Sequence, residues 1–186
     1  VKRDVAWYFF RVGCDAAAKH LPKSFSPYSF GSRQLRRLGA SVPARHVGKG
    51  VNIERNAAIG HWALMSAGGD SGIGINSRIG AVTLEKRVMV GPDCIILMSI
   101  DQHNRTDIPM QLQGYSDVNP FLIEDDVWIG ARVTRLPGVH IGEGSIVGAS
   151  LVTTKDIPPC SIAVGNPARV VKNRKTSAEN NREALV

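Results

Sequence analysis

The sequence predicts a mainly β chain coiled as a parallel solenoid, and three observations carry that prediction. From Ile123 to Thr153 a six-residue unit recurs, starting at Ile123, Ile129, Arg135, Ile141, Val147 and Thr153. Nine earlier units begin at Val47, Ile53 and Ile59, at Ala67, Ile73 and Ile79, and at Leu84, Val90 and Ile96, and the phase slips after each third one. No helical period competes with the hexad, and few apolar runs exceed four residues.

Each element follows from that unit. Three hexads make one turn, so fifteen hexads give about five triangular coils. The branched residue at the first place points into the prism, where such side chains pack well on a pleated surface. Glycine at the second place, as at Gly130, Gly142 and Gly148, is expected to form a corner by taking a positive φ. With strands about 4.8 Å apart, five coils stack to roughly 24 Å, held by nearest-neighbour stacking and closed by caps at both ends.

Residues 1–46 are expected to form an N-terminal helical cap segment, with a helix over 3–20 covering the first coil. A membrane-surface helix making peripheral contact is the competing reading of that apolar stretch. The solenoid occupies 47–171, an inserted loop runs over 101–122, and 172–186 form a C-terminal tail. Arg135 is the only charged residue at a hexad start. An unpaired charge inside the prism is strongly unfavourable, so Arg135 must be paired or its strand must turn outward before Pro137.

A chain of 186 residues with 43% hydrophobic content suits a single domain. No stretch approaches the roughly 20 apolar residues that span a bilayer. Three separated cysteines, Cys14, Cys94 and Cys160, form no CxxC pair and fit reduced thiols in a cytoplasm better than disulfides or a zinc site. The net charge of +7 gathers in Arg33, Arg36, Arg37 and Arg45 before the first coil and in Arg169, Lys172, Arg174 and Lys175 after the last. No aromatic residues interleave with them, which argues against nucleic acid and for a phosphate-bearing small molecule or a solvated face.

The segments GVNIERNA, SGIGINSRIG, RTDIPM, IEDDVWIGARV, LPGVHIGEGSIVGAS, TTKDIPP and AVGNPARVV resemble the hexapeptide-repeat O-acetyltransferases, in the branch of maltose, galactoside and exopolysaccharide acetyltransferases. The resemblance runs from about Val47 to Val171. It implies a left-handed parallel β-helix, a homotrimer with active sites between subunits, and acetyl-CoA as co-substrate without a metal. The implied acceptor is a small molecule or glycan, such as an exopolysaccharide or glycolipid precursor, in cytoplasmic polysaccharide biosynthesis.

Moving an acetyl group from a thioester to a hydroxyl needs a base for a weakly acidic proton and a donor for the developing oxyanion. A positioned imidazole contributes about 10²- to 10⁴-fold, and an oxyanion donor a further ~10²- to 10³-fold. Excursions from rigid scaffolds commonly carry catalytic residues, and the loop holds His103, which the resemblance implies as general base. The family pattern N-H-x-F-x-R-T-D, laid without gaps on RTDIPM, puts the family histidine at Asp101, two places earlier. Asp101 is therefore expected to orient the imidazole or to bind acceptor hydroxyls.

Met110 and Tyr115 of the same loop are expected acceptor contacts, and Asn76 in GIN matches an amide near the acetyl group and acceptor. On the donor side, the resemblance puts Trp128 of VWIG beside the acetyl group or pantetheine arm. It puts Ala131 and Ala149 at the pantetheine amides, and Thr154, Lys155, Arg169 and Lys172 near the adenosine phosphates, where fixed cations suit a polyanion.

Transfer to serine or a xenobiotic competes with transfer to a sugar. A metal-dependent γ-type carbonic anhydrase needs a short H-x4-H element, which His61, His103 and His140 lack. A noncatalytic solenoid serving as an assembly module is separated from an enzyme by coenzyme A binding.

Overall fold

The hexad starts are the inward side chains of a three-faced prism. In the computed structural model, which describes residues 20–22, 31–41, 44–60, 62–118 and 121–175, all of the starts are buried except the half-buried Val47. The first face stacks His46–Val47, Ser66–Ala67, Val82–Leu84 and Phe121–Ile123, then continues through single parallel bridges from Ile123 to Ile141 to Ile157. The second stacks Asn52–Ile53, Gly72–Ile73, Met89–Val90, Trp128–Ile129, Ile146–Val147 and Ser161–Val164 in parallel. The third stacks Ala58–Ile59, Arg78–Ile79, Ile95–Ile96, Thr134–Arg135 and Val152–Thr153. Five coils are complete, and Ile157 with Ser161–Val164 extends them by two faces of a sixth.

The role expected of the second-place glycines is corrected. Positive φ falls instead on the fourth place of the hexad, at Asn56, Asp70, Asn76, Arg87, Asp93, Asp126, Arg132, Ser150 and Cys160, with φ between 56° and 60°. Asn and Asp tolerate that region through local hydrogen bonding, so many corners need no glycine. The second-place glycines answer a different constraint. A Cβ on Gly74 would lie 2.4 Å from the backbone carbon of Gly91 in the next coil, and one on Gly130 would lie 2.8 Å from the nitrogen of Ala149. Successive coils approach too closely there for any side chain.

The fifth place also points inward, and its serines are satisfied between coils. Ser71 Oγ donates to the Glu85 carbonyl (2.6 Å) and accepts from the Val88 N–H (3.1 Å). Ser77 does the same with Gly91 and Cys94, and Ser145 with Pro158 and Ser161. Each hydroxyl thus bridges neighbouring coils and removes the penalty of a buried polar group.

The first coil is covered by the helix Ser32–Ser41, where Ser32, Arg36 and Ala40 form the buried stripe at helical spacing. Arg36 Nε donates to the Ile53 carbonyl and Nη1 to the Pro22 carbonyl, both at 2.5 Å, and Glu54 lies 3.5 Å from Nη2. The helix expected over 3–20 and its membrane alternative lie, but for the helical His20, outside the described residues, as do His61 and all of the tail beyond residue 175. Beyond the last parallel strand, Arg169–Asn173 turns back antiparallel against Ser161–Val164.

Arg135 meets neither expectation set for it. Its strand does not turn outward, and its guanidinium, 1% exposed, has no hydrogen-bond partner among the described residues. It lies flat over the Phe121 ring, 3.5 Å from the centroid.

Candidate active site

The insertion leaves the prism after Ile96, at the corner between the third and first faces, and its root is pinned by short antiparallel pairing. Asp101 bridges Tyr115, the Ser116 N–H donates to the Ile100 carbonyl (2.8 Å), and the Gln102 N–H donates to the Gly114 carbonyl (2.9 Å). Inside this neck, Gln113 spans the loop. Its Oε1 accepts from the Arg105 N–H (3.0 Å), while its amide donates to the Arg105 and Ile108 carbonyls. Arg105 forks onto both oxygens of Asp107, which holds that carboxyl below the usual carboxylate range. Nothing in the sequence singled out Gln113, because a staple made by one amide to two backbone carbonyls has no spacing signature.

His103 is exposed on this loop, and its Nδ1 lies 3.0 Å from the Asp101 carbonyl oxygen. A carbonyl oxygen only accepts, so this contact requires the proton on Nδ1 and leaves the lone pair on Nε2. Asp101 therefore meets the imidazole through its backbone, two residues away, and not through its carboxylate. Met110 and Tyr115 stand exposed on the same loop, at 66% and 73%.

The loop root opens onto the third face. A groove of about 420 Å³ there is lined by Ile59, Gly60, Ile79, Gly80, Leu97 and Met98, among others. A second groove, of about 450 Å³, is lined by Asn56, Ala58, Asn76 and Arg78, and it shares Ala58 and Arg78 with the first. Asn76 thus borders the face from which the His103 loop departs. Its amide is also committed to a corner ladder, accepting from Asn56 (3.3 Å) and donating to Asp93 (3.0 Å).

The expected donor residues lie along the corner between the second and third faces and at the far end of the prism. Trp128 is half exposed on the second face, in register with the exposed Met89. Ala131 and Ala149 follow at the same corner in adjacent coils, linked by the Ser150 N–H donating to the Ala131 carbonyl (2.8 Å). No hydrogen bond occupies the N–H of Ala131 or of Ala149 among the described residues, so both are open to carbonyl acceptors such as those of pantetheine.

Thr154 and Lys155 are exposed after the third face. The Ala168 N–H donates to the Val152 carbonyl (2.9 Å), which brings Arg169 to the same end, and Lys172 is exposed in the strand that follows. No hydrogen bond or ion pair joins the His103 loop to Trp128 or to this basic end among the described residues. No group of histidine, cysteine, aspartate or glutamate side chains suited to a metal occurs among the described residues, and no described helix is long and apolar enough to cross a membrane.

The fold has known counterparts. A family model described as the hexapeptide repeat of succinyl-transferase matches residues 120–155. A Schizosaccharomyces pombe chain that bears the name of an acetyltransferase is 40% identical over 94 residues, which is 50% of this chain and 44% of that one. The chain therefore matches less than half the length of that curated relative.

Maltose O-acetyltransferase from Clostridium difficile superposes with a TM-score of 0.72 at 27% identity, over 90% of this chain and 88% of that one. A hexapeptide-repeat acetyltransferase from Vibrio cholerae, solved with acetyl coenzyme A, shares the fold with a TM-score of 0.75 at 22% identity, covering 90% of this chain and 87% of that one. Residues 120–155 thus carry the hexapeptide repeat, and the three-faced parallel prism is the fold that these hexapeptide-repeat acetyltransferases share with the chain.

Proposed function

We propose that the chain is an O-acetyltransferase that moves an acetyl group from acetyl-CoA directly to a hydroxyl of a sugar or glycan precursor, working as a homotrimer. The observation that carries this reading is the contact of His103 Nδ1 with the Asp101 carbonyl oxygen: it places the proton at Nδ1 and leaves the Nε2 lone pair to serve as the base.

His103 Nε2 takes the acceptor hydroxyl proton as the oxygen bonds the thioester carbon. The same nitrogen returns the proton to the departing thiolate, so the base is regenerated. The grooves beside Asn76 and the loop root take the acceptor, with Met110 and Tyr115 closing over it. The Asn76 amide is near enough to the acceptor groove to steady developing charge.

Trp128 and the open N–H groups of Ala131 and Ala149 form the track for the pantetheine arm, and Thr154, Lys155, Arg169 and Lys172 meet the phosphates. Assembly into a trimer would bring one chain's loop to the next chain's donor track, in keeping with the lack of bonds between the two among the described residues of one chain. The sugar class is supported by the likeness to a maltose O-acetyltransferase.

The test is thiol release from acetyl-CoA across a panel of sugars and sugar alcohols, with the unaltered chain beside His103→Ala. Acceptor-dependent release that falls by about 10²-fold or more in the variant supports the reading. Release that survives the substitution removes His103 as the base, and failure to bind coenzyme A at all sinks the activity.

A further inference from the structure

Arg135 is the one charged side chain among the inward hexad starts, and nothing in the proposed chemistry uses it. Its Nε, Nη1 and Nη2 are all buried without hydrogen-bond partners among the described residues. Thr153, its register partner in the next coil, is also fully buried, and its hydroxyl is likewise unpartnered. Two unpaired polar side chains thus stand next to each other in one inward column. The prism serines Ser71, Ser77 and Ser145 are by contrast all bonded.

The surroundings determine what can satisfy this pair. Phe121 covers the flat face of the guanidinium, so the N–H edge remains to be bonded. Asp156 acts on Arg135 only through space, and its Oδ1 already accepts from the His140 N–H (2.7 Å). Burial lowers the Arg135 pKa to about 9, which still leaves it cationic near neutrality.

A guanidinium edge and a hydroxyl offer donors to a single small acceptor. A neutral acceptor would leave the charge uncompensated in a low-dielectric interior, whereas an anion cancels it. The neighbouring inward residues Ile96, Ile129 and Val133 are apolar and buried, so they offer no further donors, and an acceptor small enough to be held by these two groups alone suits the place best.

We propose that the prism interior between the fourth and fifth coils binds a monatomic anion of the chloride class, held by the Arg135 guanidinium edge and the Thr153 hydroxyl. The ion is structural: it neutralises a buried cation and ties two coils together, and it has no part in acyl transfer.

The test compares thermal melting of the full chain in sodium chloride and in sodium gluconate at equal ionic strength. Chloride at ten times its Kd is expected to raise Tm by about 3–6 °C over gluconate, in a saturable way. The difference disappears in Arg135→Met and shrinks in Thr153→Val. A crystal grown in bromide gives an anomalous peak beside the Arg135 guanidinium, a reading that does not depend on either variant folding. Equal melting in the two salts, a chloride effect that persists in Arg135→Met, or a bromide crystal with only water at that position overturns the proposal.

Discussion

The prism and the loop over residues 101–118 are built on opposite terms. In the prism, each residue is held by coils on either side, and a single added methyl at Gly74 would strike backbone in the neighbouring coil. In the loop, order comes from a neck of two backbone bonds, the Gln113 staple and the Arg105–Asp107 pair, with most side chains in solvent. The contrast teaches where tolerance lies: side chains in the prism are fixed by their neighbours, and most of those on the loop are free to change.

The sharpest break of that contrast is His103→Ala. It is expected to lower acetyl transfer by about 10²- to 10⁴-fold while Tm stays within about a degree, because the side chain is exposed and its one bond is to a backbone oxygen. A large fall in Tm would mean that the loop is structural after all.

Next in size is a matched pair of glycine substitutions read by urea unfolding. Gly74→Ala must push two coils apart and is expected to lose roughly 3 kcal/mol or more. Gly114→Ala meets nothing within 4 Å and suffers only from its φ of 77°, so a loss of about 1 kcal/mol is expected. Equal losses would erase the distinction between the two regions.

A third test uses pH. Arg135 titrates near 9 in the folded chain, below its ordinary value, so above about pH 9 the unfolded chain binds more protons and the folded state gains. In gluconate, unaltered chain minus Arg135→Met is expected to be flat below that point and to move in favour of the unaltered chain by about 1 kcal/mol over the next pH unit. No drift would show that Arg135 is not buried as a lone cation. The smallest effect is at Cys94, buried with its Sγ 3.2 Å from the Gly130 carbonyl oxygen and its pKa raised by burial. It should stay silent to an aromatic disulfide reagent until the chain unfolds, whereas the partly exposed Cys160 reacts.

Most of the prism was legible because a period of six, reset after every third unit, fixes which side chains point inward. Ile53, Ile73, Val90, Ile129 and Val147 fall in one column for that reason. The glycines were misassigned because sequence cannot tell a residue that needs positive φ from one that needs no Cβ. Both constraints select glycine, and only coil-to-coil distances separate them. Arg135 was visible as an anomaly, yet its stacking on Phe121 joins residues on different faces and could not be anticipated from spacing.

The candidate site was less legible. Asp101 and His103 were singled out together, but their link runs through a backbone carbonyl, which every residue possesses and no motif records. The proximity of Asn76 to the loop root likewise depends on which faces the grooves occupy.

The reversal of Arg169–Asn173 has a consequence for solubility. A stack of parallel strands presents its final edge as a template on which a further chain could continue the same pairing, the route to fibrils. Here that edge on the second face is occupied by a strand of opposite sense, with a register irregularity at Ile162/Ala163 and exposed Arg169 and Lys172 along it. An incoming strand would meet mismatched direction and like charge, so the polymerisation that the repeat invites is stopped by its own last fold. Deleting residues from Arg169 onward is expected to uncover that parallel edge and to promote end-to-end growth, visible as concentration-dependent light scattering.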